Sequence, residues 1–245
     1  MRDDATSSPP PDRRARSELT RAVVGIGLYA GAFGLTFGAV AVGSGLSVAQ
    51  AMLLSLVMFS GASQFAFVGV VAAGAAPYAA IPTALLLGLR NAFYGVPVTG
   101  IVRPRGLRRL LTAHLVIDET TAMAVAQADP RLRRLAFWST GVVLFCCWNG
   151  GTLLGGLVGR TLDATALGLD AAAPAAFLAL LWPQLTRRRA VPVALLAALV
   201  AVTLIPVTPV GVPVIAAAAV ALVAGLLPAR TPPARRPVAR PAVPG

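Results

Sequence analysis

The chain has 245 residues, of which 57% are hydrophobic and only 12% are charged, whereas about a quarter of the residues in an ordinary soluble domain are charged. This composition excludes an ordinary soluble enzyme, and the long apolar blocks predict a single helical membrane domain. The formal net charge of +12 does not indicate nucleic-acid binding, because the arginines stand between the apolar blocks, as in the cytoplasmic loops of membrane proteins.

The order of apolar and polar segments predicts three regions. Residues 1–21 carry charges and a run of prolines, so they are predicted to form a disordered cytoplasmic tail. Residues 22–227 form the membrane domain, and the Pro/Arg-rich residues 228–245 form a second cytoplasmic tail. The fold is predicted to be an all-α, polytopic integral membrane helical bundle with seven or eight membrane segments, at least one of them broken or re-entrant. These segments are 22–43, 47–74, 77–102, the half-polar 110–128, 135–159, 171–185, 191–207 and 210–227.

The arginines predict the orientation. Nineteen of the 21 arginines lie in the tails and in loops 103–109, 131–134 and 187–189, so all of these segments, and both termini, are expected to be cytoplasmic. Three full crossings before residue 103 would place loop 103–109 outside. Either the block interrupted at 60–64 is re-entrant, or 110–128 crosses the membrane and one basic loop breaks the rule.

Arg90 lies near the middle of an apolar block, where a charge costs about 2.5–3.5 kcal/mol on insertion scales. It is therefore expected to face a cavity or a partner. Asn91 adds an amide, and Tyr94 shares the helical face of Arg90. One interpretation is a structural pair with Asp118 or Glu119, or a side chain that extends to the interface. The other is a functional site, in which Arg90 binds a substrate carboxylate or provides the counter-charge to a proton site.

Two apolar blocks contain small and polar residues in mid-membrane. The run 60–64, Ser-Gly-Ala-Ser-Gln, and the run 148–152, Trp-Asn-Gly-Gly-Thr, are both predicted to interrupt a helix. Unwound helices expose backbone groups that can bind a zwitterion. Glycine and serine also permit close helix packing without any binding role.

Asp118 and Glu119 stand beside an apolar stretch, which makes them candidates for proton coupling. The alternative is an amphipathic helix on the membrane surface. His114, flanked by arginines, is predicted to be interfacial. The sequence lacks a nucleotide-binding glycine loop with lysine and a zinc-ligand cluster, so we expect no enzymatic activity and no cofactor.

The motifs in their order resemble the AzlC-like branched-chain amino acid permease family over about residues 22–228. The family commonly has threonine before the Asp-Glu pair and an aromatic residue after it, where this chain has Ile117 and Thr121. The matching residues are Ser60–Phe65, Arg90–Gly95, Asp118, Glu119, Trp148, Gly151, Thr152, Gly168–Asp170, Pro174, Phe177 and Pro183–Leu185.

The resemblance implies the large subunit of a two-component, gradient-driven exporter of branched-chain amino acids in the cell membrane, with a small hydrophobic AzlD-like partner. Asp118 or Glu119 would couple transport to protons. A non-transporting scaffold or sensor, with Arg90 and the acids in structural roles, is the alternative function. The candidate substrate-binding residues are Ser60, Ser63, Gln64, Arg90, Asn91, Tyr94, Trp148 and Asn149.

Overall fold

The computed structural model describes residues 13–161, 190–208 and 212–226, together with the single residues 178, 182 and 185. All the regular secondary structure in these ranges is helical, which confirms the predicted all-α class. Most of segment 171–185, loop 187–189 and most of both tails lie outside the described residues. The helices are α1 (Arg13–Gly43), α2 (Val48–Val57), α3 (Gly61–Ala72), α4 (Pro77–Gly88), α5 (Arg90–Val102), α6 (Arg108–His114), α7 (Asp118–Val125), α8 (Pro130–Thr161), α9 (Ala190–Leu204) and α10 (Val212–Leu226).

The two longest helices, α1 and α8, run parallel to each other in close backbone contact. Gly34 lies against the carbonyl group of Trp148, and Gly38 lies against that of Thr152. Residue numbers therefore rise together along both helices. Gly155 in turn lies against the backbone of Leu35. Because glycine has no side chain at these points, the helix axes approach more closely than larger residues would allow.

Helix α1 begins at Arg13, within the segment predicted to be a disordered tail. Its first turns are anchored because Leu19 and Val23 are buried against Leu132 and Ala136 at the start of α8. The predicted tail is therefore wrong for residues 13–21. The sequence did not indicate this, because the charged residues around Leu19 obscure its four-residue spacing from Val23.

The break predicted at residues 148–152 is wrong, since α8 is one continuous helix through this run. The Thr152 hydroxyl donates to the carbonyl of Trp148 at 2.9 Å, and the Asn149 amide donates to the carbonyl of Phe145 at 2.8 Å. These side chains thus bond to their own helix. Gly151 lies against the backbone of Gly31, so this glycine serves helix packing.

Helix α2 approaches the middle of α8 from the end where α8 finishes. The Ser55 hydroxyl lies 3.3 Å from that of Thr152. After the helix stops, Gly61 meets the indole of Trp148, one turn nearer the start of α8. The break occupies residues 58–60, slightly earlier than the predicted 60–64.

Helix α3 then turns back towards the face from which α2 came. The Gln64 side-chain amide reaches the carbonyl of Leu54 at 3.5 Å, although ten residues separate them. Phe65 packs edge-on against Phe37, which lies beside Gly38 in the part of α1 level with Thr152. The α2–α3 pair is therefore a re-entrant hairpin, which is one of the two alternatives left open by the sequence.

Helices α4 and α5 form a single kinked span. A turn at 73–76, in which Gly74 has a positive φ of 86° that favours glycine, leads into α4, which packs along α3. The two helices together, Pro77–Val102, are long and apolar enough to cross a membrane. The Arg134 guanidinium donates to the carbonyl of Ile101 at 3.0 Å, so α5 ends at the face where α8 begins.

Helices α6 and α7 form a second re-entrant hairpin, which enters from that same face. Leu115, just after α6, lies against Gly141 of α8. Helix α7 then returns, because Met123 packs with Leu19 and Leu132 near the starts of α1 and α8. Segment 110–128 therefore does not cross the membrane.

The tip of the second hairpin is buried and held by one hydroxyl group. Thr120 Oγ1 donates to the carbonyl of Leu115 at 2.7 Å and accepts from the amide of Ile117 at 3.1 Å. Leu115, Val116 and Ile117 belong to the main hydrophobic cluster. A helix lying on the membrane surface would not bury these residues, so that interpretation of 110–128 is also wrong.

These paths place three basic segments on one side of the molecule, which we call the basic face. It carries residues 13–21 at the start of α1, loop 103–109, and residues 131–134 at the start of α8. The conflict between the apolar blocks and the arginine distribution disappears, because neither hairpin crosses the domain. The first hairpin enters and leaves on the side opposite to the basic face, and the second enters and leaves on the basic face. The basic face is the one that the sequence predicts to be cytoplasmic.

We expect Gly155→Ala to destabilise the protein. Its new methyl group would meet the Leu35 backbone, with Leu35 Cα at 2.9 Å, and overpacking of this kind costs about 1–3 kcal/mol. For a chain of this size, that corresponds to a fall in Tm of roughly 2–12 °C, measurable by thermal denaturation in detergent followed by size-exclusion chromatography.

Gly150→Ala is the matched control in the same helix, because no atom lies within 4 Å of a side-chain carbon placed on Gly150. It should leave Tm unchanged or raise it, since alanine favours the helix over glycine. Equal effects of the two substitutions would contradict close packing between α1 and α8.

Candidate functional site

A cavity of about 460 Å³ lies near the midpoints of α1 and α8, where the two hairpin tips meet the kink of α4–α5. Three interruptions of helical structure reach it, represented by Ser60, Arg90 and Asp118. The cavity is lined by Tyr29, Ala30, Phe33, Phe59, Ser60, Gly61, Ala62, Arg90, Tyr94, Ile117, Asp118, Glu119, Leu144 and Trp148.

Arg90 supplies positive charge to this cavity. It is the first residue of α5 and is half-buried, and Tyr94 lines the same cavity one helical turn later. Within the described residues, no carboxylate oxygen lies within 4.0 Å of its guanidinium nitrogens, and its buried Nε has no hydrogen-bond partner. The structural ion pair with Asp118 or Glu119 is therefore not formed in this conformation.

Asp118 and Glu119 supply negative charge to the same cavity. They open α7, and both side chains are half-buried. Neither forms an ion pair with a described residue. A guanidinium group and two carboxyl groups thus line one cavity without forming ion pairs with one another. Such an arrangement suits a ligand that carries both signs of charge.

The start of α3 adds a further anion-binding feature. The first backbone amides of a helix lack partners within the helix and carry partial positive charge. Ser60 precedes α3, but its side chain makes no capping hydrogen bond. Ser60 and Gly61 both line the cavity. Free amides at this position are suited to a carboxylate.

The remaining cavity wall is apolar and aromatic. Phe33, Leu144 and Trp148 face the cavity from α1 and α8. Phe59, at the tip of the first hairpin, packs edge-on against Phe145 with ring centroids 5.1 Å apart. The His114 ring lies beside this aromatic cluster, with its centroid 5.8 Å from that of Phe59. This wall can receive an apolar side chain.

The structure places four other predicted site residues outside the cavity lining. Ser63 and Gln64 lie in α3 and are fully buried, although the Ser63 hydroxyl is 3.2 Å from that of Ser60. Asn149 bonds back to its own helix, and Asn91 faces a second cavity between α5 and α6. Ser60, Arg90, Tyr94 and Trp148, with both acids, are the predicted residues that the fold brings together.

Sequence reasoning missed the contribution of α1. Tyr29, Ala30 and Phe33 share one face of the helix by their spacing and line the cavity. The available signal was Tyr29, a hydroxyl group in the middle of an apolar block. It did not show which face of α1 would point inward. Of the family motif residues after Thr152, Leu185 lies within the described residues, whereas Gly168–Asp170, Pro174, Phe177, Pro183 and Gln184 lie outside them.

Comparison with known proteins adds to this geometry. The family described as "AzlC protein" matches residues 25–162. The chain is 30% identical to "Inner membrane protein YgaZ" of Escherichia coli K12 over 179 residues, which cover 69% of this chain and 73% of that protein. A membrane protein of Helicobacter pylori is 26% identical over 156 residues, covering 63% and 68% of the two chains.

A membrane protein of Archaeoglobus fulgidus is 35% identical over 127 residues, which cover 52% of this chain and 55% of that protein. No solved structure matches the chain. The region matched by the family contains every residue that lines the central cavity. Because the family match covers residues 25–162, more than half of the chain, and the Escherichia coli relative is 30% identical over 73% of its length, this chain is a member of the AzlC family.

Proposed function

We propose that this protein is the large subunit of a secondary-active exporter of leucine, isoleucine and valine, with methionine as a further substrate. Membership of the AzlC family and relatives named as membrane proteins support the broader role in membrane transport. One observation carries the proposal: Arg90, Asp118 and Glu119 line the same central cavity without forming ion pairs among the described residues.

The cavity matches an amino-acid zwitterion group by group. The substrate carboxylate would bind Arg90 and the free amides at the start of α3. The ammonium group would face Asp118 and Glu119. The aliphatic side chain would pack against Phe33 and the other apolar lining residues. The volume of about 460 Å³ falls within the range of roughly 300–1,000 Å³ that is usual for small-molecule sites.

The two carboxyl groups also provide a means of coupling to a proton gradient. A carboxyl group that takes up a proton loses its attraction for the substrate ammonium, so proton binding and substrate binding are linked at one site. Asp118 and Glu119 both line the cavity. The outward direction of transport is supported only by the resemblance to the exporter family.

The alternative function, a scaffold or sensor in which Arg90 locks helices together, needs a partner for its charge. The Arg90 guanidinium has no ion pair within the described residues, and its Nε has no hydrogen-bond partner there. A purely structural arginine would be expected to satisfy these groups, since leaving them unpaired is costly. This observation favours the transporter.

We expect Arg90→Ala to lower leucine transport at least tenfold in proteoliposomes that also contain the AzlD-like subunit, since loss of a charge-assisted hydrogen bond costs about 1.5–3 kcal/mol. Arg90→Lys should be intermediate, because lysine keeps the charge but not the planar fork. Arg105→Ala, in the exposed basic loop, is the control and should transport normally. Wild-type transport by a correctly inserted Arg90→Ala protein would refute the assignment. A fall in Tm without a transport-specific defect would indicate the scaffold.

We expect Asp118→Asn and Glu119→Gln together to abolish proton-driven leucine accumulation, while leucine-for-leucine exchange persists at a raised half-saturating leucine concentration, because the amides attract the substrate ammonium less strongly than carboxylates do. The amides preserve side-chain shape but cannot take up or release a proton. Accumulation would be measured with radiolabelled leucine, and proton movement with a pH-sensitive dye.

The control for this pair is Asp129→Asn. Asp129 accepts a hydrogen bond from the amide of Arg131 at the start of α8, and asparagine caps helices equally well. This variant should remain proton-coupled. Coupled accumulation by the Asp118/Glu119 double variant would show that these residues do not carry the proton.

We also propose the small hydrophobic AzlD-like membrane subunit, with about four spans, as the partner of this chain. The family resemblance supports it. A tagged chain expressed with such a subunit should purify with it in mild detergent, and transport should require both. Full transport by the large chain alone would contradict the two-subunit arrangement.

A further inference from the structure

A second cavity, of about 330 Å³, lies between α5 and α6 on the way to the basic face. Asn91 and Val116 line it next to the central cavity, and Gly95 lines it one turn further along α5. Pro104 and Arg109 line it where the basic loop joins α6. The cavity therefore extends from the middle of the molecule towards the basic face.

The wall between the two cavities is thin and consists of adjacent residues. On α5, Arg90 faces the central cavity and Asn91 faces the second one. At the tip of the second hairpin, Ile117 lines the central cavity and Val116 the second. Only one backbone segment from each element separates the two spaces at these points.

Both parts of this wall lie at interruptions of helical structure. The kink at Leu89 separates α4 from α5, and residues 115–117 separate α6 from α7. Helix ends are places where small changes in backbone angles can move a segment. A shift of either segment would join the two cavities.

The polar groups of the second cavity suit an amino acid. Arg109 is exposed and can attract a carboxylate, and the buried Oδ1 of Asn91 has no hydrogen-bond partner in the described part of the chain. This oxygen can accept a hydrogen bond from an ammonium group. The second cavity thus has one group for a carboxylate, Arg109, and one for an ammonium group, the Asn91 oxygen, whereas the central cavity has two carboxyl groups for the ammonium.

We propose that the second cavity is a vestibular binding site for the transported amino acid, on its path between the basic face and the central cavity, and that residues 90–91 and 116–117 form the gate. This inference rests on the proposed function for the identity of the ligand. The water-filled path itself can be tested independently of transport.

The test uses single cysteines in a chain whose Cys146 and Cys147 have been replaced by alanine. Gly95→Cys places a thiol in the second cavity, where no atom lies within 4 Å of its new carbon. Val96→Cys, the adjacent control on α5, does not line the cavity and is 71% exposed on another side of the helix. Arg105→Cys marks the basic face.

A charged, membrane-impermeant thiosulfonate should label Gly95→Cys from the same membrane side as Arg105→Cys, and should leave Val96→Cys unlabelled. Labelling of Val96→Cys at an equal rate, or no labelling of Gly95→Cys from that side, would overturn the path. Labelling of Gly95→Cys from the opposite side only would also overturn it.

Binding is tested by adding leucine. Saturating leucine should slow the labelling of Gly95→Cys, because bound leucine covers the thiol, and should not affect Arg105→Cys. Arg109→Ala should raise the leucine concentration that gives half of this protection by roughly two- to fivefold, the loss expected for one exposed ion pair, whereas Arg108→Ala, whose side chain is exposed outside the cavity, should not.

Two failures remain distinguishable. If the parent transports leucine but leucine leaves the labelling unchanged, the vestibular site is wrong. If the parent, reconstituted with the AzlD-like subunit, does not transport leucine, the proposed function is wrong and the inferred ligand with it, while the labelling pattern still decides whether the path exists.

Discussion

The backbone contact between α1 and α8 is the constraint on which the rest of the structure depends. Gly34, Gly38 and Gly155 let the two helices touch without intervening side chains. The pair forms a narrow, rigid support that spans the whole domain. Both hairpins and the kinked span pack around it, and the tips of the hairpins meet α8 at Trp148 and at Gly141, respectively. In lipid, where apolar burial does not drive helices together, such close van der Waals contact is the main source of association.

The hairpins follow from a second requirement, that backbone polar groups inside a membrane must be satisfied or line a cavity. At the second tip, Thr120 satisfies groups of Leu115 and Ile117. At the first tip, the amides that begin α3 receive no side-chain cap and adjoin the cavity. A side-chain hydroxyl therefore satisfies the backbone at the second tip, whereas the first tip leaves its amides without a side-chain cap beside the cavity.

The sequence predicted the helical membrane class, the interruption near Ser60 and the position of Arg90 at a cavity, because a charge or a polar run in an apolar block is costly and conspicuous. It did not predict the continuity of α8, since the glycines at 150 and 151 resemble a helix break unless the neighbouring helix is known. It also left the course of 110–128 open. That segment is half-polar because one side of the hairpin faces a cavity, which a linear pattern cannot distinguish from a helix at the membrane surface.

The meeting of the two hairpin tips has an electrical consequence. The tips meet where Phe59 lies beside His114. Water that entered the second cavity from the basic face, as proposed above, would reach Val116 at the second tip, and the insulating part of the protein would then be thinner than the bilayer. A membrane potential falls mainly across the insulating layer, and moving one charge through it changes the free energy by about 2.3 kcal/mol per 100 mV. Arg90, Asp118 and Glu119 stand at this layer, so small displacements of their charges, or of a bound proton, would respond strongly to the potential across the membrane.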